Sequence, residues 1–247
     1  MYLLTATNLE KSFSGRKVVD HVSFAVAEGE IVGLLGRNGA GKTTSFRMSM
    51  GMITPEGGQV IFNGNDVTKL PMYQRARLGM GYLAQEPSIF SRMTVRDNLM
   101  AILETRSNLT RADQKAKADE LLKKFHLSHV ASQLARTLSG GERRKLEIAR
   151  ALITEPTIML LDEPFHGVDP IAVEELQAEV SRLRDSEGIA TLITDHNERR
   201  ILQMCDRVYV IFEGKVFAEG TPAEIVENEL VRKRYLGESL KVEDFQR

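Results

Sequence analysis

A glycine-rich segment is the first part of the chain that could do chemistry. Residues 36–43 read Gly-Arg-Asn-Gly-Ala-Gly-Lys-Thr, which fits the pattern G-x-x-x-x-G-K-[ST]. Glycines let consecutive backbone N–H groups turn inward around phosphate oxygens, and a following helix adds the positive end of its dipole. The Lys42 ammonium can reach the β- and γ-phosphates, and the Thr43 hydroxyl can bind Mg²⁺. The segment therefore predicts a site for Mg-ATP, made by Gly36, Arg37, Asn38, Gly39, Ala40, Gly41, Lys42, Thr43 and Thr44.

Two adjacent carboxylates follow an apolar run later in the chain. Asp162 and Glu163 come directly after Ile158-Met159-Leu160-Leu161. Ligands in α/β sheets bind at the C-terminal edge of the strands. There Asp162 would hold Mg²⁺ through water, and Glu163 would polarise the water that attacks the γ-phosphate. A helix N-cap is the alternative, because acidic residues also suit helix starts; beside a phosphate loop, the catalytic interpretation is favoured.

A second candidate anion site begins a helix in the middle of the chain. Leu138-Ser139-Gly140-Gly141-Glu142 precedes a helical pattern over Arg143–Leu152. A serine and two glycines at a helix start form an anion-binding nest. Two nests in one chain suggest a head-to-tail homodimer, in which Ser139, Gly140 and Gly141 of one copy cover the nucleotide bound by the other. Taken alone, the pentapeptide favours the alternative of an ordinary serine N-cap.

A parallel sheet is the element that could position these segments. Short continuous apolar runs are typical of strands buried on both faces, and they occur at Ile31–Leu35, Thr157–Leu161, Ala190–Thr194 and Val208–Phe212. Helical patterns lie between them, at Ile171–Arg184 and Asn197–Met204. This alternation predicts an α/β core with parallel strands. Before it, the β-rich runs from Tyr2 to Val26 predict an antiparallel β region.

The middle of the chain shows a different pattern. No convincing strand occurs from Thr94 to Thr154, and Asp113–Phe125 carries apolar residues at helical spacing. We therefore expect an inserted helical lobe over 92–154 in a single domain of 1–247, with 1–91 and 155–247 forming the α/β core. After the last apolar run, a hairpin at Glu213-Gly214-Lys215 and a helix begun by Thr221-Pro222 are expected.

Composition excludes several classes of protein. The chain has 247 residues, and its 33 basic and 34 acidic side chains give a net charge of −1, which argues against binding to nucleic acid by charge alone. Cys205 is the only cysteine, so no intrachain disulfide can form. The longest run without charged residues is 125–135, far short of the ~20 residues of a membrane helix, and the N-terminus lacks a signal-peptide pattern. We expect a soluble cytoplasmic protein without membrane insertion.

The phosphate loop, the acid pair and the segment 138–142 occur in the order and approximate spacing of the motifs of ABC-transporter ATPase subunits. The chain resembles such a subunit along its whole length. Gln85, Asp169 and His196 match the family's Q-loop glutamine, D-loop aspartate and switch histidine. The resemblance implies a P-loop NTPase core of the RecA type that hydrolyses Mg-ATP. It also implies that Gln85 senses Mg²⁺ and couples to a membrane partner, that Asp169 lies at the dimer contact, and that His196 contacts the γ-phosphate.

An aromatic residue near the N-terminus matches the family's adenine-stacking position. Phe13 would stack on adenine there, and core packing is the alternative for a lone phenylalanine. Two other positions depart from the family pattern. Arg37 stands where proline or a small residue is usual, and His166 stands where a small residue is usual, within the D-loop.

Within the family, residues 81–90 and 162–170 are similar to the subunits that drive lipopolysaccharide export. This similarity implies two integral membrane permease subunits and a peripheral location on the cytoplasmic face of the inner membrane. Phe90 and Arg92 would lie in the groove that receives a permease helix, unless Phe90 belongs to the chain's own core. The alternatives are the ATPase of a branched-chain amino-acid importer, a soluble ABC ATPase without a membrane partner, and a binding module that has lost catalysis.

Overall fold

Two β-sheets and a set of helices make up the computed structural model, which describes residues 1–237 and 245. The strands within these ranges are β1 (Tyr2–Phe13), β2 (Arg16–Ala27), β3 (Ile31–Leu35), β4 (Gly57–Phe62), β5 (Asn65–Asp66), β6 (Met80–Leu83), β7 (Ile158–Asp162), β8 (Ala190–Thr194), β9 (Arg207–Phe212) and β10 (Lys215–Gly220). The helices there are α1 (Lys42–Met50), α2 (Met72–Arg77), α3 (Val95–Leu103), α4 (Arg111–Lys124), α5 (Gly140–Leu152), α6 (Pro170–Glu187), α7 (Glu198–Met204), α8 (Pro222–Glu227) and α9 (Glu229–Val231). A π-helical turn follows at Arg232–Leu236.

The N-terminal sheet is antiparallel, with the strand order β2-β1-β4-β5. β1 and β2 form a hairpin that closes at the pair Phe13 and Arg16. Its turn residues Ser14 and Gly15 both have positive φ, the backbone conformation that tight hairpin turns require. The predicted antiparallel region is therefore confirmed. β4 and β5, which extend this sheet at its other edge, are not anticipated by the sequence patterns.

The central sheet has the order β10-β9-β3-β8-β7-β6, and β9, β3, β8, β7 and β6 are parallel. All residues of β3, β7 and β8 are buried, as expected for strands covered on both faces. β10 pairs antiparallel with β9 across the predicted hairpin turn. The predicted α/β core is confirmed, and its parallel strands bring residues 36, 85, 163 and 195 to one edge of the sheet.

Helices alone occupy the middle of the chain. Residues 92–154 contain α3, α4 and α5, and their β-structure is limited to an isolated bridge between Thr94 and Leu134. One apolar cluster runs from Leu99 and Leu121 of these helices to Leu161 of the central sheet. A second cluster lies between the other face of that sheet, the N-terminal sheet and α1. The expected helical content is thus present, while the division into two lobes stays a prediction.

None of the helices in the described ranges is long and apolar enough to cross a lipid bilayer.

Candidate functional site

The phosphate loop joins the buried strand β3 to α1, as the sequence predicts. Gly41 precedes α1 with a φ of 105°, and a Cβ there would lie 2.7 Å from the Val18 carbonyl oxygen. A Cβ at Gly36 would lie 2.3 Å from the Ile211 carbonyl oxygen. Only glycine fits these two positions, because both the backbone conformation and the available space exclude a side chain. No side-chain hydrogen bond caps α1, so its first N–H groups are available to an anion.

Lys42 lies in the first turn of α1 with its side chain folded back over the loop. Its buried ammonium donates to the Gly36 carbonyl oxygen and, at 3.2 Å, to the Arg37 carbonyl oxygen. Burial lowers the pKa of Lys42, while the carboxylates of Glu163 and Asp162 act to raise it. The cation is therefore held at the loop by backbone oxygens that a triphosphate could replace.

A cavity of about 340 Å³ opens at this loop. Of the predicted site residues, it is lined by Arg37, Asn38, Gly39, Ala40, Gly41, Lys42, Thr43, Thr44, Gln85, Glu163 and His196, together with Val18. Phe13, Ser139, Gly140 and Gly141 do not line it. Phe13 ends β1 with 45% of its surface exposed, and the Lys11 ammonium lies 5.8 Å from its ring centre. Its role in adenine stacking stays a prediction.

Asp162 ends β7 as a buried carboxylate with unused hydrogen-bonding capacity. Oδ1 accepts a hydrogen bond from the Thr194 hydroxyl at 2.9 Å, whereas the buried Oδ2 has no hydrogen-bond partner in the described part of the chain. Burial raises the pKa of Asp162 above its ordinary value. A buried carboxylate oxygen without a partner suits Mg²⁺, which prefers oxygen ligands and keeps several waters.

Glu163 is held in place by three side chains and by its own backbone. Its Oε2 accepts a hydrogen bond from Gln85 Nε2 at 2.7 Å and lies 2.7 Å from His196 Nε2. The Glu163 N–H donates to Thr194, both to its carbonyl oxygen and to its hydroxyl at 3.1 Å. Its φ of 49° is uncommon for a residue with a side chain. The structure thus brings the three predicted catalytic residues Gln85, Glu163 and His196 together.

A buried ion pair that the sequence analysis missed fixes the segment around Gln85. Arg144 of α5 donates to the carbonyl oxygens of Ala84 and Gln85 at 2.8 and 2.6 Å. It also pairs with Glu147 at 2.8 Å, and Glu147 accepts the Ser88 N–H at 2.6 Å. The sequence holds a signal for this pair, because both charged residues fall among the apolar positions of α5. Direct hydrogen bonds therefore join α5 to the segment around Gln85.

The serine and glycines of 139–141 begin α5, some way from the cavity of their own chain. The exposed Ser139 is the N-cap: its hydroxyl donates to Glu142 at 2.7 Å and accepts the Glu142 N–H at 3.3 Å. A Cβ at Gly141 would lie 2.6 Å from the Ala172 Cβ of α6. Asp169 caps α6 by accepting the Ala172 N–H at 3.0 Å. In the single chain, the N-cap alternative describes Ser139 correctly; its role across a dimer stays a prediction.

Phe90 contacts Arg150, one of the residues that line a groove between α2, β6 and α5. It is 42% exposed, so it is not a core residue, and the Arg150 guanidinium lies 4.5 Å above its ring. The Asn98 side chain holds its backbone by bonds to the Phe90 N–H and carbonyl oxygen at 2.8 and 3.0 Å. Arg92 nearby is exposed. The adjoining cavity of about 420 Å³ has a largely apolar lining that includes Met50, Met72, Ala76, Met80, Ile102 and Ala151.

The π-helical turn near the C-terminus also touches the phosphate loop. The Tyr235 hydroxyl accepts the Gly36 N–H at 3.0 Å, and Arg37 donates to the Arg234 carbonyl oxygen at 3.0 Å. Burial raises the pKa of Tyr235, so its hydroxyl stays neutral at physiological pH. Sequence reasoning had no means to pair residues 199 positions apart.

Comparison with known proteins gives a consistent result. Residues 19–166 match the family described as ABC transporter, and residues 215–240 match the branched-chain amino acid ATP-binding cassette transporters. The chain is 51% identical to the lipopolysaccharide export system ATP-binding protein LptB of Haemophilus influenzae, over 98% of this chain and 100% of that protein. It is 50% identical to LptB of Escherichia coli K12, over the same shares.

A solved structure supports the fold. The crystal structure of an ATP-binding cassette of an ABC transporter in its ADP conformation superposes with a TM-score of 0.85 at 29% identity, covering 96% of this chain and all of that one. The expected P-loop NTPase fold, with its antiparallel sheet and helical region, is thereby confirmed. With the phosphate loop, the acid pair and the segment 138–142 in place, the chain belongs to the ATP-binding ATPase subunits of ABC transporters.

Proposed function

We propose that the chain is the ATP-hydrolysing motor of a transporter that exports lipopolysaccharide. It would act as a homodimer bound to two integral membrane permease subunits, on the cytoplasmic face of the inner membrane. Hydrolysis is supported above all by the convergence of Gln85, Glu163 and His196 at the cavity of the phosphate loop. Export of lipopolysaccharide is supported by the full-length similarity to LptB.

Each residue of the site has a distinct task in this mechanism. Glu163 accepts a proton from the attacking water, and its contacts with Gln85 and His196 fix the direction in which its carboxylate points. Lys42 exchanges the loop carbonyls for oxygens of the β- and γ-phosphates. His196 contacts the γ-phosphate. Mg²⁺, held by Thr43, Gln85 and Asp162, would supply positive charge that offsets the charge on the phosphate oxygens.

The second copy of the chain would complete each site. Ser139, Gly140 and Gly141 lie outside their own chain's cavity, and the N-terminus of α5 favours an anion. In a head-to-tail dimer they cover the ATP of the other copy, with Asp169 at the contact and Phe13 on the adenine. Hydrolysis removes the γ-phosphate that both copies hold, so the closed dimer loses its link and reopens.

Mixing two inactive variants tests the shared site. Lys42→Ala removes the phosphate contact, and Ser139→Arg blocks the segment that covers the partner's nucleotide. In a mixed dimer of these variants, one of the two sites receives both intact segments. An equal mixture should therefore recover about one quarter of the parent's phosphate release, because half of the dimers are mixed and each carries one intact site.

A matched control removes that intact site. Lys42→Ala mixed with the double variant Lys42→Ala/Ser139→Arg leaves no dimer with a functional phosphate loop and should stay inactive. Recovery in the first mixture alone supports a site shared between copies. A first mixture no faster than its two components would contradict it.

The groove beside Phe90 is proposed to receive the permease. An exposed aromatic ring, a nearby arginine and an apolar cavity are the features that dominate buried interface cores. Purification of the tagged chain from membranes in mild detergent, followed by mass spectrometry, should recover two integral membrane proteins together with lipopolysaccharide. Phe90→Ser should lose both proteins, whereas Leu230→Ser, at a residue 60% exposed elsewhere, should keep them.

The runner-up is the ATPase of a branched-chain amino-acid importer. It is favoured by the match of residues 215–240 to that group of cassettes. The same purification separates the two functions, since an importer would bring amino-acid permease subunits and no lipopolysaccharide. Ribosomes or nucleic acid in the purified material would instead indicate a soluble ABC ATPase.

A further inference from the structure

His166 is an exposed histidine beside two of the proposed catalytic residues. The centre of its ring lies 6.4 Å from that of His196, and the two planes meet at 75°. One ligating atom of His166, one of His196 and one of Glu163 all lie within 4.8 Å of one another. The turn after β7 carries Glu163 and His166, and the segment after β8 carries His196. Two imidazoles and one carboxylate thus converge from neighbouring strands.

This donor set is the one found in many catalytic zinc sites. Two histidine nitrogens and a glutamate oxygen bind Zn²⁺ and leave the fourth position to water. Ligand atoms around a tetrahedral zinc ion lie about 3.4 Å apart. Atoms at the 4.8 Å limit therefore need to approach by about 1.4 Å, whereas Glu163 Oε2 and His196 Nε2, which are 2.7 Å apart, need to separate by about 0.7 Å. His166 is exposed and the His196 side chain is 45% exposed, so rotation of these rings can close the gap. A cavity of about 620 Å³ in front of them has room for the water.

The charges near the three residues also favour a dication. Asp195 and Glu198 line the same cavity and place carboxyl groups near the three residues. Arg199 and Arg200 also line that cavity and weaken this attraction. The site therefore suits a metal ion that binds by coordination to the three side chains rather than by charge alone.

A second group of acidic and histidine side chains, with two carboxylates and one imidazole, differs from the first in its neighbours. Glu10, Asp20 and His21 also present three ligating atoms within 4.8 Å of one another. There Lys17 lies 2.9 Å from Glu10 and 3.0 Å from Asp20, and Lys215 lies 3.1 Å from Asp20. Lysine ammonium groups thus already neutralise those carboxylates. At Glu163 the direct contacts are with an amide and an imidazole, and the Lys42 ammonium acts on this carboxylate through space.

We propose that Glu163, His166 and His196 bind Zn²⁺, or a dication of similar preference, when the chain holds no nucleotide. The bound metal blocks ATP hydrolysis, because it takes Glu163 and His196 away from the water and the γ-phosphate. The blocking effect rests on the proposed function, whereas the binding does not.

Metal binding is tested on nucleotide-free protein that carries no histidine tag and has been treated with EDTA. Titration with ZnCl₂ in a calorimeter should show one ion bound per chain, and CoCl₂ should give the visible absorption of a low-symmetry cobalt site. His166→Ala should weaken zinc binding by about 10–100-fold or more, since even loss of an outer-shell partner costs that much. His21→Ala is the matched control and should bind like the parent. Equal zinc affinity in His166→Ala and the parent would overturn the proposal.

Inhibition is measured separately, as phosphate release at a fixed free zinc concentration set by a chelating buffer. The zinc concentration for half inhibition should rise about tenfold or more in His166→Ala, following its weaker binding, and EDTA should restore the parent's activity. Equal inhibition of both proteins would overturn the blocking effect. A parent chain that binds zinc through His166 but hydrolyses no ATP would overturn the proposed function and leave the metal site standing.

Discussion

At the carboxyl edge of the central sheet, buried polar groups face one another with bonding capacity left over: Asp162 Oδ2 has no partner in the described part of the chain, and the Lys42 ammonium rests on backbone carbonyls. At the start of α5 the situation is reversed. Ser139 is exposed, and its hydroxyl is fully used by Glu142 of the same helix. The sheet edge thus leaves polar groups available to a ligand, whereas the Ser139 hydroxyl at the start of α5 is bonded within its own helix.

The largest effect is expected at the sheet edge. Glu163→Gln removes the proton acceptor and should slow phosphate release by about 10²–10⁴-fold, the usual contribution of a general base. ATP affinity should stay close to that of the parent, and light scattering with Mg-ATP should show a dimer that accumulates. Glu86→Gln, at an exposed neighbour of Gln85, is the control. Unchanged phosphate release in Glu163→Gln would remove Glu163 from this role.

At the tip of α5, close packing should matter more than hydrogen bonding. Gly141→Ala places a Cβ 2.6 Å from the Ala172 Cβ, an overpacking that costs about 1–3 kcal/mol. Calorimetry should show a lower Tm, and adding Ala172→Gly should restore part of it. Gly140→Ala is the matched control, because its Cβ would meet the Gly167 carbonyl oxygen at 3.2 Å. Similar losses for both glycines would show that α5 does not depend on the contact with α6.

Loss of the cap should destabilise the single chain more mildly. Ser139→Ala removes the reciprocal bonds with Glu142 and should cost about 1 kcal/mol, which lowers Tm by about 2–4 °C in a chain of this size. Ser139→Thr keeps the hydroxyl and should melt close to the parent. A Tm unaffected by Ser139→Ala would mean that the cap contributes little and that Ser139 acts only in the dimer.

The smallest change in Tm is expected for Asp162→Asn, and it should be an increase rather than a decrease. Burial raises the pKa of Asp162 above its unfolded value, so the stability that this carboxyl contributes is highest at low pH and falls as pH rises through the folded pKa. Asp162→Asn should therefore raise Tm in Mg²⁺-free buffer at neutral pH by no more than about 2–4 °C, and the gain should shrink toward pH 3.8, the ordinary value.

Asp66→Asn is the control for the increase in Tm expected of Asp162→Asn. Hydrogen bonds from Thr68 and Gln59 lower the pKa of Asp66 to about 2, so its charge stabilises the fold above the unfolded pKa. Its replacement should give no increase in Tm at neutral pH. A lower Tm for Asp162→Asn would show that the sheet edge is not under electrostatic strain.

Local sequence patterns were sufficient to predict those parts of the site in which the functional residues come directly after a strand. The runs before Gly36 and Asp162 are apolar throughout, and the residues that follow them belong to recognisable motifs, so strand, turn and function could be predicted together. β6 and β4 were missed for local reasons. β6 has only four residues, and β4 begins with two glycines, which are unfavourable in strands.

Long-range contacts were the part that the sequence could not supply. A charged residue ordinarily indicates a solvent-exposed position, yet Arg75 is fully buried and donates to the carbonyl oxygens of Met48, Ser49, Thr68 and Leu70. Arg144 and Glu147 behave in the same way beneath Gln85. A charged residue among the apolar positions of a helix can indicate such burial, as at Arg144, but its carbonyl partners can be identified only once the fold has placed them.

The contact between the Tyr235 hydroxyl and the Gly36 N–H has a practical consequence for work with purified protein. A fluorescent reporter or purification handle fused just after this segment would strain a bond to the nucleotide site itself. Kinetic constants measured on such a fusion would then reflect the attachment as well as the enzyme. Met1 is fully exposed at the start of β1, so the amino terminus is the better place for any label.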